Sequence, residues 1–128
     1  PVVLEEHANT YFKNVRNANE MLFTFTAIKP EGIEACVHKD GSARVQTVNA
    51  DQNKRLHELI SKFHEKSGIP VLINTSFNRR GEPMVHSPED ALRTFFGSGL
   101  DVLVMGNFVV RKEENENVKI KGVRLELD

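Results

Sequence analysis

The sequence has no tryptophan, a single tyrosine (Tyr11) and a single cysteine (Cys36). A lone cysteine forbids an internal disulfide, which suits a reducing compartment, and the cytoplasm is the expected location. No apolar run approaches the roughly 20 residues that span a bilayer, and the opening residues follow neither a signal-peptide nor a transit-peptide pattern. No membrane partner is expected. Excess charge is missing too, since 17 basic residues meet 18 acidic ones for a formal charge of -1. That balance argues against a surface devoted to nucleic acid or to an anionic membrane. Neither an internal repeat nor a Gly/Ser- or Pro-rich linker divides the chain. What remains is an ordinary globular composition, 39% hydrophobic and 27% charged over 128 residues, read as one domain. A chain of this size can bury roughly two thirds of its unfolded surface. It opens on Pro1 rather than methionine, and is expected to be a piece of something longer.

Periodicity places the elements. Val3, Leu4, His7 and Tyr11 recur at helical spacing over residues 3–12, which predicts a short amphipathic helix. Residues 21–28 alternate, with Phe23 and Phe25 on one side and Thr24 and Thr26 on the other, a strand ended by Lys29-Pro30-Glu31-Gly32. Asp40-Gly41 marks a turn into a strand over residues 43–48. Asp51 is the expected cap of a helix reaching Ser67, with Leu56, Leu59, Ile60 and Phe63 on one face and Gly68 as its stop. Residues 70–73 read as a strand buried on both faces. Ser87, Pro88, Glu89 and Asp90 open another helix, which runs to about Phe96 and stops at Gly97. Residues 101–105 and 108–111 form a hairpin about Gly106-Asn107, residues 112–121 are charged and expected to be solvated and mobile, and 123–127 alternate as a last strand. Strands interleaved with two substantial helices point to an α/β or α+β fold.

Two stretches carry chemistry. Residues 71–83 (VLINTSFNRRGEP) deliver Asn74, Thr75, Ser76 and Asn78 at the carboxyl end of a strand, where open sheets commonly hold ligands. Arg79 and Arg80 follow with planar donors for phosphate or carboxylate. The same residues also suit a polar loop that caps its own backbone. In residues 38–48 (HKDGSARVQTV), His38, Lys39 and Arg44 surround a turn beside the small residues Ser42 and Ala43, and taken alone this segment reads first as an exposed hairpin with scattered charge. Convergence of Lys39, Arg44, Arg79 and Arg80 would create an anion pocket without altering net charge.

Other templates fail: there is no GxxxxGK[ST] loop, GxGxxG, GxSxG or HExxH. His57 and His64 share a side of their helix, but no Cys or acidic cluster completes a metal site, and no metal ligand is assigned. Cys36 reads as a half-buried structural thiol, and His86 with Glu82 is a weak general-base pair.

Taken in order, VLEEHANTYF, MLFTFTAIKPE, HKDGSARVQTV, GIPVLINTSFNRRGEP and SPEDALRTFFGSGLDVLVMGNFVV resemble the C-terminal domain of the NodU/CmcH/TobZ-type O-carbamoyltransferases over roughly residues 2–110. The combination of DGSARVQTV with NTSFNxxGEP is what makes the likeness specific. The resemblance implies a YrdC-like α/β fold, a twisted mixed sheet flanked by helices. It implies binding of ATP, with Mg2+, and of carbamoyl phosphate as co-substrate to form carbamoyl adenylate. The carbamoyl group would pass to the hydroxyl of a small-molecule acceptor on an N-terminal ASKHA-type, actin-like transfer domain of the same chain. Carried over by position, Arg44 and Arg80 take the catalytic, charge-neutralising role. Lys39, Asn74, Thr75, Ser76, Asn78 and Glu82 bind the nucleotide, and Arg79 falls where the pattern is permissive. A basic segment that the family carries upstream of the equivalent of Pro1 is not in this sequence.

Readings of another class are a non-catalytic nucleotide or double-stranded RNA binding module, and a docking module in which NTSFN is a scaffold loop. Balanced charge and the scarcity of stacking aromatics weigh against nucleic acid. A homodimer is compatible with all three readings.

Overall fold

A computed structural model of the chain describes residues 1–115 and 117. They have the mixed α/β class expected, with three α-helices beside small mixed and antiparallel sheets. The chain divides into two compact units, Pro1–Asn74 and Thr75–Asp128.

The first unit is built on strand β1 (Val2–Leu4), where a helix is predicted from the spacing of Val3, Leu4, His7 and Tyr11. That helix is cut down to a 3-10 turn, Glu5–His7, and a single turn of α1, Ala8–Tyr11. The reason is burial on two sides. Val3 enters one hydrophobic cluster with Tyr11, Phe12, Val45 and Val71, while Val2 and Leu4 enter another with Val48 and Ile60. Only the period of two of a strand sends neighbouring side chains into opposite layers. β1 sits at the centre of a three-stranded sheet, parallel to β4 (Gln46–Val48) and antiparallel to β5 (Val71–Leu72). Residues 70–73 thus supply a strand, but Ile73 is 58% exposed rather than buried.

The predicted strand over 21–28 shortens to β2 (Thr24–Thr26), which pairs antiparallel with β3 (Ser42–Arg44). Phe25 packs against the core, whereas Phe23 lies outside the strand and is exposed. The single strand expected over 43–48 breaks at Val45 into β3 and β4, which join different sheets. Its alternation survives: Ala43, Val45 and Thr47 are buried and Arg44 is exposed.

Helix α2 (Lys54–Ser67) is capped by Asn53, whose side chain accepts the Leu56 N–H at 3.1 Å, and not by Asp51. Asn53 sits one residue before the first helical turn, where its oxygen reaches the third amide; Asp51 is too far upstream. Gly68 ends the helix at φ +75°, a left-handed position that glycine occupies without strain. Of the predicted apolar face, Ile60 is fully buried and Leu56 is partly covered, while Leu59 and Phe63 remain exposed.

The second unit, from Thr75 onward, centres on α3 (Pro88–Phe96), which starts and stops where the sequence predicts. Ser87 and Asp90 form a reciprocal capping box: the Ser87 oxygen accepts the Asp90 N–H, and the Asp90 carboxylate accepts the Ser87 N–H, each at 3.1 Å. Ala91, Phe95 and Phe96 pack on Leu103 from a hairpin of β6 (Val102–Met105) and β7 (Phe108–Arg111), turned at Gly106-Asn107. Lys112 donates to the Ser98 carbonyl and lies 5.0 Å from the Phe95 ring centroid, so the charged segment begins on an anchored residue. A 3-10 turn, Glu113–Asn115, follows. The strand predicted over 123–127 lies outside the described residues. No helix among the described residues is long and apolar enough to cross a membrane.

Candidate functional site

The polar loop after β5 is organised by its own side chains. Phe77 packs against the α3 and β6 cluster, and its carbonyl accepts the Val85 N–H at 2.9 Å, closing the loop at its base. Asn78 spends its amide donors inside the loop, on the carbonyls of Arg79 at 3.1 Å and Glu82 at 3.2 Å. Only its side-chain oxygen is left to face a ligand. Glu82 receives the Arg79 guanidinium at 3.8 Å and donates its N–H to the Arg79 carbonyl at 3.0 Å. Gly81, at φ +82°, makes the turn between them. Thr75, Ser76 and Arg80 are exposed, and no side-chain hydrogen bond or ion pair to a described residue occupies them.

A cleft of about 440 Å³ opens along this loop, lined by Thr75, Ser76, Asn78 and Arg80 together with Thr94 on α3 and the turn that follows the helix. Its size falls within the range of small-molecule sites. Its chemistry is hydroxyls, an amide oxygen and the guanidiniums of Arg79 and Arg80, which suits phosphate and ribose oxygens. Sequence reasoning reached the loop but missed Thr94, Gly97, Ser98 and Gly99. They lie about 20 residues downstream, and no local motif marks them.

The remaining predicted residues belong to the first unit. The Asn74 side chain donates to the Gln46 side-chain oxygen at 2.6 Å, and Gln46 donates on to the Asn19 carbonyl at 3.2 Å, so Asn74 ties the exit of β5 to β4. Arg44 is exposed beside its cross-strand partner Thr24, and no described residue pairs with its guanidinium. Lys39 is exposed in the turn before β3. That turn is braced by Asp40, whose carboxylate accepts the Ser42 hydroxyl at 2.7 Å and backbone N–H at 2.9 Å. The hydroxyl first, and then the amide, holds the Asp40 carboxyl below its ordinary range.

Other titratable groups have structural roles. His57 meets Glu6 at 3.0 Å and His64 stands edge-on to His7 at 4.6 Å, so the histidines of α2 fix the helix to the Glu5–His7 turn rather than simply facing solvent. Burial pushes the Glu6 carboxyl up, but its backbone hydrogen bond and the His57 hydrogen bond and charge bring it below the ordinary value. Cys36 is half-buried against the core, and burial raises its thiol. His86 is exposed on a second cleft of about 380 Å³ with Glu82, Asp90 and Thr94. Among the described residues no group of three or more His, Cys, Asp or Glu is placed to hold a metal ion.

Comparison with known proteins decides the lineage. Residues 1–112 match the family model described as the carbamoyltransferase C-terminus, most of the chain and every residue of the loop and cleft. The chain belongs to the carbamoyltransferase C-terminal family. It is 39% identical over 117 residues to nodulation protein NolNO of Sinorhizobium fredii, a match covering 88% of this chain and 17% of that protein. It is 39% identical over 117 residues to nodulation protein NolO of Bradyrhizobium diazoefficiens, covering 88% and 21%. To the 3'-hydroxymethylcephem-O-carbamoyltransferase of Amycolatopsis lactamdurans it is 34% identical over 104 residues, covering 81% and 18%. The carbamoyltransferase C-terminal chain therefore spans about a fifth of the length of these relatives.

Proposed function

We propose that the chain is the nucleotide-binding part of an O-carbamoyltransferase, in which ATP and carbamoyl phosphate are converted to carbamoyl adenylate at the 74–83 loop. The observation that carries this reading is the cleft itself. In a chain of this family, a loop pinned at Phe77 turns Ser76, the Asn78 oxygen and an uncompensated Arg80 toward space the size of a small-molecule site. As a YrdC-like domain of about 128 residues, it would work with an N-terminal ASKHA-type domain that hands the carbamoyl group to a small-molecule hydroxyl.

The chemistry runs in three balanced steps. Water cleaves carbamoyl phosphate to carbamate and phosphate. A carbamate oxygen attacks the α-phosphorus of ATP, its new P–O bond replacing the one to pyrophosphate, which leaves. The acceptor hydroxyl then attacks the carbamoyl carbon, forming the carbamate ester as AMP departs and the hydroxyl proton is released. Charge grows on phosphate oxygens in the second step, so fixed cationic and neutral donors matter more there than a strong base. Arg80 neutralises that charge, and Ser76 and Thr75 orient the phosphate and ribose. Asn78 and Glu82 act chiefly by holding the loop in shape, as Asn74 does from the β5 side. A magnesium ion would be held through the ATP phosphates and water, with at most one or two carboxylates.

The test is carbamoyl phosphate-dependent exchange of labelled pyrophosphate into ATP by the purified protein. Arg80→Ala should lower the exchange by at least about tenfold, the scale of a charge-assisted hydrogen bond. Unchanged exchange sinks the assignment of Arg80. Arg44→Ala in the same assay tests the separate proposal that Arg44 neutralises phosphate charge, with Lys39 as a nucleotide contact. Absence of any saturable response to ATP would favour the docking-module reading.

A further inference from the structure

Two residues of the 440 Å³ cleft are of a type that the fold does not require. Thr94 is 6% exposed in the middle of α3, among Ala91 and Phe95. Its hydroxyl makes no hydrogen bond to any described residue. Because no fully buried side-chain oxygen or nitrogen among the described residues lacks a partner, this oxygen keeps accessible surface, and Thr94 is part of the cleft lining. A hydroxyl at a nearly buried helical position costs desolvation, and threonine is a mediocre helix former, so valine would serve packing as well or better. Gly99 has the same character. It is not in the left-handed region, and a Cβ built on it meets no heavy atom within 4 Å, so neither backbone conformation nor crowding calls for glycine. Both line the same cleft.

Resting on the nucleotide reading above, we infer that Thr94 and Gly99 form the nucleoside side of this cleft. The Thr94 hydroxyl hydrogen-bonds the uncharged ribose or base, and Gly99 leaves the space that the nucleoside fills. The phosphates go to Arg80, the charged member of the lining that carries no partner among the described residues. The C-terminal end of α3 is the negative end of its dipole and disfavours them, an effect offset in part by Lys112 on the Ser98 carbonyl. Ser98 is committed elsewhere, its hydroxyl donating to the Phe95 carbonyl at 3.1 Å.

The experiment is equilibrium binding of AMP and of inorganic pyrophosphate to the purified protein, with melting curves as a folding control. Thr94→Val should weaken AMP about fivefold, one neutral hydrogen bond, and leave pyrophosphate unchanged. Thr94→Ser should restore AMP binding. Gly99→Leu should exclude AMP and spare pyrophosphate. Wild-type AMP affinity in Thr94→Val and Gly99→Leu overturns the inference while leaving the nucleotide reading intact. So does an equal loss of both ligands. Thr94 also borders the second cleft and Gly99 does not, so an effect of Thr94→Val without one of Gly99→Leu would move the nucleoside elsewhere and overturn the assignment too. If the wild-type protein binds neither ligand, the proposed function fails and takes this assignment with it.

Discussion

Replacing Phe77 with alanine should both destabilise the second unit and disable the loop it anchors. Phe77 is half-buried against Ala91, Phe95, Phe96 and Leu103, and its own carbonyl closes the loop onto Val85. Truncating a fully buried phenylalanine costs about 3–5 kcal/mol. Discounted for its partial exposure, Phe77→Ala should cost about 2–3 kcal/mol. At roughly 4 °C per kcal/mol for a chain of this size, the melting temperature should fall by roughly 8–12 °C. Urea denaturation gives the free energy, and hydrogen exchange gives its location. Amides of α3 and of the β6–β7 hairpin should lose protection, while those of β1 and β4 keep theirs. Phe77→Leu, which retains most of the buried area, should recover more than half of the loss. Pyrophosphate binding should fall with Phe77→Ala even at temperatures where the variant is folded, because Ser76 and Arg80 flank the anchor. A cost under about 0.5 kcal/mol, the range of an ordinary surface substitution, would refute the anchoring argument.

Three further outcomes test individual devices. Asn53→Ala should destabilise by about 1 kcal/mol in denaturant, whereas Asp51→Ala should stay within about 0.5 kcal/mol, reversing the order expected from sequence. Gly32→Ala should cost about 1–3 kcal/mol in the same measurement, since Gly32 sits at φ +82° and an added Cβ lies 2.7 Å from Ile69 Cδ1. The Asp90 carboxyl is held below its ordinary value, first by the Ser87 hydroxyl, which outweighs the opposing effect of burial, and then by the Ser87 N–H and Arg93. With the folded value below the unfolded one, its stabilising contribution is complete above the unfolded range, about pH 4, and disappears as pH falls through the lower folded value. Asp90→Asn should therefore lower stability at neutral pH and flatten the acid limb of the stability profile; an unaltered limb would show that the capping box carries no such linkage.

What was legible in the sequence was local chemistry. Ser87-Pro88, Gly68, Asp40-Gly41 and Gly106-Asn107 act within a turn of themselves, and each stands where it was expected. What escaped depends on residues distant in the chain. Val2–Leu4 are a strand because Gln46–Val48 and Val71–Leu72 lie on either side, a fact absent from the helical spacing of their neighbourhood. Leu59 and Phe63 match the period of α2 as well as Ile60 does, yet Ile60 is buried in the cluster with the sheet while they stay exposed. The loop half of the cleft was visible as a burst of polar residues after an apolar run. The other half was not, since Thr94 reads as one more position in an amphipathic helix.

The central place of β1 also bears on how the protein is made. Val2–Leu4 are synthesised before their partners, Gln46–Val48 and Val71–Leu72. At roughly 5–20 residues per second, this strand waits several seconds for both edges. Until α2 and β5 emerge, three adjacent apolar side chains have no layer to enter on one side and no hydrogen-bonding neighbour on the β5 edge. The first unit therefore cannot assemble in the order in which it is translated, and its sheet closes only when the last strand arrives. Slow, non-local closure of this kind leaves the nascent chain open to self-association, and a translational pause placed after the codons for β5 should lower the aggregated fraction.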